Sequence, residues 1–160
     1  MIKAKPLSAD AFAPYGEVLE CTGESITINH GNCQRFHDLA GLDMDGGQVG
    51  ISLFHAKLRS LPYELDLMER HPLGSQAFIP MSTDGFLILV ADDDDGVPVN
   101  IQAFVSRPNQ GINLHKNTWH GVLTPLSGSG MFVVVDRIGD GNNLEEHNLS
   151  AAVVIEEADP

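Results

Sequence analysis

Apolar runs in this chain stop at strand length. "FLILVA" (residues 86–91) and "MFVVV" (131–135) are the longest, far short of the roughly 20 residues a membrane-crossing helix needs. "VGISLFHAKL", "QAFIPM", "VNIQAFVS" and "MFVVVDRI" carry the branched and aromatic residues that pack well on a pleated surface. "YELDLMERH" alternates, which on a strand places Tyr63, Leu65, Leu67, Glu69 and His71 on one face. Glycine, proline and aspartate separate these segments at "HPLGS", "DDDDGVP" and "SGSG". Many short strands joined by regular turns predict an all-β sandwich or barrel. The main helical signal is "SADAFAPYG", which predicts a short N-terminal helix capped by Ser8 and stopped by Pro14 and Gly16.

Length and charge narrow the function. A chain of 160 residues without a linker or repeat is expected to form one domain over 1–160. Lys and Arg number 9 against 22 Asp and Glu, a net charge of −13. Such a surface repels phosphate backbones and anionic lipid, so neither a nucleic-acid nor a membrane partner is expected. A small anionic substrate would need local cations or a metal to reverse that field. The start, "MIKAKPLSAD", lacks the apolar core of a signal peptide. The two cysteines, Cys21 and Cys33, are not needed as staples at this length. A cytoplasmic protein with reduced thiols is therefore expected. "ADDDDGVP" lacks the alternating ligand spacing of a calcium loop and is expected to be a solvated hairpin tip.

Chemistry concentrates in two stretches. In "MERHPLGSQAFIPM", Glu69 and His71 stand at the inner end of an apolar face, where an unpartnered charge is costly. Glu69 therefore needs a metal, an arginine or a proton. Arg70 alternates to the other face. Gln76 returns toward the same region after the Pro-Leu-Gly turn. In "NLHKNTWHG", His115 and His120 are five residues apart, an odd offset that sends them to opposite faces of a strand. His120 is the candidate for the inside, His115 for the rim, and Trp119 packs away from His120. Lys116 is a candidate for holding a substrate anion. So is Arg35 in "CQRFHDLA", which shares a strand face with His37, because a guanidinium suits bidentate carboxylate binding; an interface ion pair is the equal alternative. "GNNLEEH" could seal a site or a dimer contact, and the favoured reading is a structural turn built on Asn142 and Asn143.

These stretches resemble the cupin superfamily, small jelly-roll barrels with the site inside. The first cupin motif runs His-x-His, about four residues, then Glu and an apolar strand. Glu69-x-His71, Gln76 and "AFIPM" are similar to it with two substitutions, and "NTWHGVL" is similar to the second motif with His120 as its ligand. "INHGNCQRFHDLA", "GISLFHA", "MERHPLGSQAFIP", "HKNTWH" and "VDRIGDGNNLEEH" together resemble the ureidoglycolate lyase family, from about residue 3 to 149. That family pattern carries a glycine where Asn117 stands and often a histidine where Gly121 stands.

The resemblance implies a metal set of Glu69, His71, Gln76 and His120, with nickel the usual ion and zinc also suited to imidazole ligands. It implies cleavage of ureidoglycolate to glyoxylate and urea in allantoin and purine breakdown, with His120, His71 and Glu69 catalytic, and a homodimer. Arg35, His115, Lys116 and Gln76 are the expected substrate-binding residues. Two rivals are a cupin sugar epimerase or isomerase and a non-catalytic small-ligand-binding cupin. A nucleotide-sugar substrate would favour a basic pocket lip, and this chain has only nine cations in all.

Overall fold

The computed structural model describes residues 1–157. In chain order the elements are β1 (Ile2–Lys3), β2 (Lys5–Pro6), α1 (Ala9–Phe12), β3 (Gly16–Leu19), β4 (Ile26–Ile28), a 3₁₀ turn (Asn29–Gly31) and β5 (Cys33–Arg35). Then come β6 (Gln48–His55), β7 (Tyr63–Arg70), β8 (Gln76–Pro80), β9 (Phe86–Asp94) and β10 (Val97–Val105). The chain continues through β11 (Gly111–Leu114), β12 (Trp119–His120), β13 (Thr124–Pro125), β14 (Met131–Ile138) and β15 (Glu145–Glu156). The all-β class holds, and α1 is the short helix expected, with Ser8 Oγ accepting from Ala11 N at 3.4 Å.

An eight-stranded sheet runs β1-β15-β7-β12-β9-β10-β2, with β13 on β9. β1 and β2 lie at its opposite edges yet are consecutive in sequence, so the sheet curls until it nearly closes on itself. A five-stranded sheet, β3-β11-β8-β14-β6, packs against it. This matches a cupin jelly-roll. Two apolar clusters divide the interior. One, with Phe78, Ile88, Val90, Ile112, Leu114 and Val134, fills the space between the sheets. The other, with Leu65, Met68, Leu87, Leu89, Ala91 and Trp119, fills the hollow of the curled sheet. Ile88 and Val90 go one way along β9 and Leu87, Leu89 and Ala91 the other, as period 2 dictates.

Three local readings are corrected. Tyr63 and Leu65 pack with Met68 in the hollow and do not share a face with Glu69. The cause is a register break: Leu65 pairs with Val153 but Leu67 with Asn148, so the extra residues on β15 interrupt the alternation. β5 ends at Arg35, and Asp38 turns to φ 53°, so Arg35 and His37 do not lie on one continuous strand. The aspartate run does form a hairpin, turning at Asp95 and Gly96 with φ 49° and 85°. Asp92 and Asp93 are partnered within the protein, however. Asp92 accepts from Tyr15 Oη and Asn100 Nδ2, and Asp93 from Arg70 and Trp119.

Candidate metal centre

The two-residue strand β12 is wedged between β7 and β9. Its register puts His120 opposite both Glu69 and Val90. Antiparallel partners point to the same side, and Val90 belongs to the inter-sheet cluster. Glu69 and His120 therefore face the space between the sheets. Trp119 lies opposite Ala91 and faces the hollow. Thus Trp119 and His120 point apart, as the sequence implied, and Arg70 lies opposite Glu69's side, with its guanidinium 4.4 Å from the indole centroid.

Glu69, His71 and His120 each offer a ligand atom, and these atoms lie within 4.8 Å of one another. The imidazole centroids of His71 and His120 are 5.2 Å apart. His71 Nδ1 is 2.7 Å from the Asn143 carbonyl oxygen, and His120 Nδ1 is 2.9 Å from that of Gly121. A carbonyl only accepts, so both Nδ1 atoms carry the hydrogen. In a neutral ring, Nε2 is then a bare lone pair. Both Nε2 atoms are buried without a partner. That is the tautomer and orientation a metal-ligating histidine takes. Burial, with His71 close by, lowers the His120 pKa to about 4, which keeps the ring neutral. Burial raises the Glu69 carboxyl above its usual value, and neighbouring Glu146, its partner on β15, adds to this; His71 opposes the shift. Phe78, Ile88, Ile112 and Leu114 line an apolar floor beside His120. The donor set and the two orphaned nitrogens fit a divalent cation.

Loops hold the imidazoles in place. Asn143 grips the His71 segment twice, through its carbonyl and through Oδ1, which accepts from Leu73 N at 2.8 Å. Asn117 N donates to His71 O at 2.9 Å. Asn117 has φ 68°, a left-handed conformation that explains the glycine of the family pattern and that asparagine tolerates. A Cβ at Gly121 would lie 3.1 Å from Leu89 Cβ, so that position looks into the hollow, away from the three ligands. Of the readings open for "GNNLEEH", the structure favours a segment that closes the site over a turn alone, since Asn143 binds the His71 segment and Glu146 pairs with Glu69. The signal, "NNLEEH", was present, but its target lies some 70 residues earlier.

The remaining candidates are distributed as follows. Gln76 is buried, with Nε2 donating to Asp136 Oδ2 at 3.1 Å and Oε1 unpartnered. His115 sits in the turn before β12, its side chain 43% exposed, and pairs with Glu17 at 3.1 Å. Lys116 pairs with Asp43 at 3.1 Å. Arg35 is exposed on the β4–β5 ribbon, which hydrogen-bonds into neither large sheet.

Asp93 supports the ligand-bearing strands from behind. Its carboxyl is held below the usual range by the Trp119 N–H, and further by Arg70. Asp93→Ala should lower the melting midpoint at pH 7 by an amount matching about 1–3 kcal/mol, because the buried indole N–H is orphaned. A depressed carboxylate contributes stability above its unfolded pKa and loses it as pH falls. The gap between mutant and parent should therefore shrink toward pH 3. Calorimetric melts at both pH values check this, and a gap that widens in acid would contradict it.

A family model described as ureidoglycolate lyase matches residues 1–156. The chain is 53% identical over 154 residues to the ureidoglycolate lyase of Rhodobacter capsulatus, covering 95% of this chain and 96% of that one. It is 49% identical over 148 residues to the ureidoglycolate lyase of Chelativorans sp., covering 91% and 90%. It is 47% identical over 146 residues to ureidoglycolate lyase 2 of Rhizobium meliloti, covering 89% and 90%.

Proposed function

The chain belongs to the ureidoglycolate lyase family, and from that premise we propose that Glu69, His71 and His120 hold one divalent cation at the site where substrate is cleaved. The reaction splits ureidoglycolate into glyoxylate and urea. The observation that carries the metal reading is a carboxylate and two imidazoles with ligand atoms within 4.8 Å of one another, both imidazoles keeping a buried, unpartnered Nε2. Two imidazoles and a carboxylate suit nickel or zinc; nickel is the ion the family resemblance implies.

Ureidoglycolate is a hemiaminal: one carbon bears a hydroxyl, a carboxylate and a ureido nitrogen. The hydroxyl proton must leave as the C–N bond breaks, and the departing nitrogen must gain a proton. The carbon and oxygen become the aldehyde of glyoxylate, and the nitrogen leaves as urea. A bound cation would stabilise negative charge on the hydroxyl oxygen. His71 and His120 have their Nδ1 hydrogens committed to carbonyls, so each presents only a lone pair. Glu69 is the one ligand of the set with a second oxygen to spare: a cation would take one carboxylate oxygen, and the other could accept the hydroxyl proton. His115 and Lys116 immediately precede Asn117, which contacts His71, and already hold carboxylates; exchange of Glu17 or Asp43 for the substrate carboxylate is the role assigned to them.

Purified protein should release urea, and not ammonia, from racemic ureidoglycolate. Dialysis against a chelator should remove about one metal ion per chain, read by mass spectrometry, and stop urea release, with nickel restoring it. Stoichiometric ammonia without urea would sink the lyase reading, and full activity in metal-free protein would sink the metal.

A homodimer is part of the same proposal. β6 is a sheet edge, and Val49, Ile51 and Leu53 on it are 56%, 75% and 61% exposed. Val133 and Val135 pair with Leu53 and Ile51 and extend that apolar face onto β14. An uncovered edge and face of this kind favour association. Light scattering should give a dimer at micromolar concentration and a monomer for Ile51→Lys/Leu53→Lys; a monomeric parent would overturn the dimer. The compartment proposed is the cytoplasm, with which the free thiols Cys21 and Cys33 agree. No helix among the described residues is long and apolar enough to cross a membrane.

A further inference from the structure

We infer that Gln76, oriented by Asp136, recognises the ureido half of the substrate. This rests on the lyase reading above. Gln76 opens β8 and pairs with Leu114, which belongs to the inter-sheet cluster, so the Gln76 side chain faces the space between the sheets. A short turn separates it from Glu69 and His71 at the end of β7. Leu114, opposite Gln76 on β11, lines the same cavity as His120, so Gln76 and the ligands lie toward one end of the interior, on facing walls. Asp136 stands beside Gln76 on β14 and faces the same way, since Val134 two residues earlier points between the sheets.

The hydrogen bond between them sets the amide. Gln76 Nε2 donates to Asp136 Oδ2 at 3.1 Å. A carboxylate only accepts, so turning the amide over would lose the bond and set oxygen against oxygen. Asp136 thereby keeps Gln76 Oε1 directed away from itself. That oxygen is buried, with the residue 6% exposed, and has no donor within the protein. An unpartnered buried acceptor is costly, and such groups are retained where a ligand brings the donor. Asn113 Oδ1 is also unpartnered, but Asn113 pairs with Ala77, the neighbour of Gln76 on the opposite face, and its amide is tied to Glu17 and Gly41.

The substrate's two halves differ in the sense Gln76 can read. The ureido group presents N–H donors on both nitrogens. The other half presents a carboxylate, which Oε1 cannot bind and which the Asp136 charge repels. The Gln76–Asp136 wall therefore accepts the donor-bearing end and rejects the anionic one. Gln76 is a recognition residue and Asp136 a positioning residue.

Two stable probes separate the halves. N-carbamoylglycine keeps the ureido N–H groups and the carboxylate but lacks the hydroxyl, so it is not cleaved. Glycolate keeps the hydroxyl and carboxylate and has no N–H. In metal-loaded protein, Gln76→Leu should weaken inhibition by N-carbamoylglycine about tenfold or more, the scale of one hydrogen bond left unmade in a dry site. Inhibition by glycolate and nickel affinity by calorimetry should stay unchanged, and KM should rise more than kcat falls. Asp136→Asn should act in the same direction but less, because a second amide can pair with Gln76 in either orientation. It should add nothing in the Gln76→Leu background. Equal weakening of both probes together with lost nickel affinity would overturn the proposal and make Gln76 a metal ligand. Unchanged N-carbamoylglycine inhibition in Gln76→Leu would overturn it as well. If Gln76→Leu fails to fold, the near-isosteric Asp136→Asn carries the same comparison. Failure of the lyase reading is distinct, since the parent protein would then release no urea.

Discussion

His120→Ala should cut turnover by about a hundredfold or more, the usual scale for removing a group that acts on the reacting atoms. The ring is 3% exposed, its Nδ1 hydrogen is held by the Gly121 carbonyl and its Nε2 points at Glu69 and His71. Removing it takes one of three ligand atoms from a set that has no spare histidine among the described residues. Bound nickel should fall in parallel, measured by mass spectrometry on protein that circular dichroism shows to be folded. His115→Ala makes the contrast. That ring is at the rim and pairs with Glu17, so its loss should raise KM more than it lowers kcat and leave the metal content intact. Full turnover in folded His120→Ala, with loss in His115→Ala, would reverse the assignment of which histidine is inside.

Trp119→Ala should act on stability and cost about 3–5 kcal/mol, the range for truncating a large packed aromatic. The indole is 2% exposed in the hollow of the curled sheet, beneath the Arg70 guanidinium and against His147. Its N–H donates to Asp93 at 2.8 Å, and Arg70 also holds Asp93 and Glu145. The substitution thus opens a cavity and loosens a cluster that ties β7, β9, β12 and β15 together. A loss of this size is a large share of a typical domain's 5–15 kcal/mol. Trp119→Phe keeps most of the bulk and should cost less. Guanidinium unfolding is the right measurement, because urea is the product of the reaction. A midpoint unchanged in Trp119→Ala would show that the hollow is not a packed core.

Much of the fold was legible locally. Branched and aromatic runs of strand length, broken by glycine, proline and aspartate, can bury their side chains only in layered sheets, and α1 carried its own cap in Ser8. The candidate centre was legible where residue types stand close together: Glu69 and His71 two apart on a strand, His120 after a tight turn. Other features left no local trace. β12 has two residues, too few to show a period, and it exists because β7 and β9 offer free hydrogen-bonding groups on both sides. β15 begins "EEHNLS", a polar stretch that reads as a loop until β7 pairs with it.

Chain chemistry alone therefore determined the class of fold, the short helix, and which side chains have the chemistry to bind a metal. The tertiary structure decided which way they point. A register break of β7 against β15 put Leu65 in the hollow, although strict alternation placed it beside Glu69. Asn143 grips His71 across 72 residues, and Gln76 meets Asp136 across 60. Alternation and turn chemistry are properties of neighbours in sequence and leave a readable pattern. A hydrogen bond between strands distant in sequence depends on register, and register is set only when both faces of a sheet find their partners.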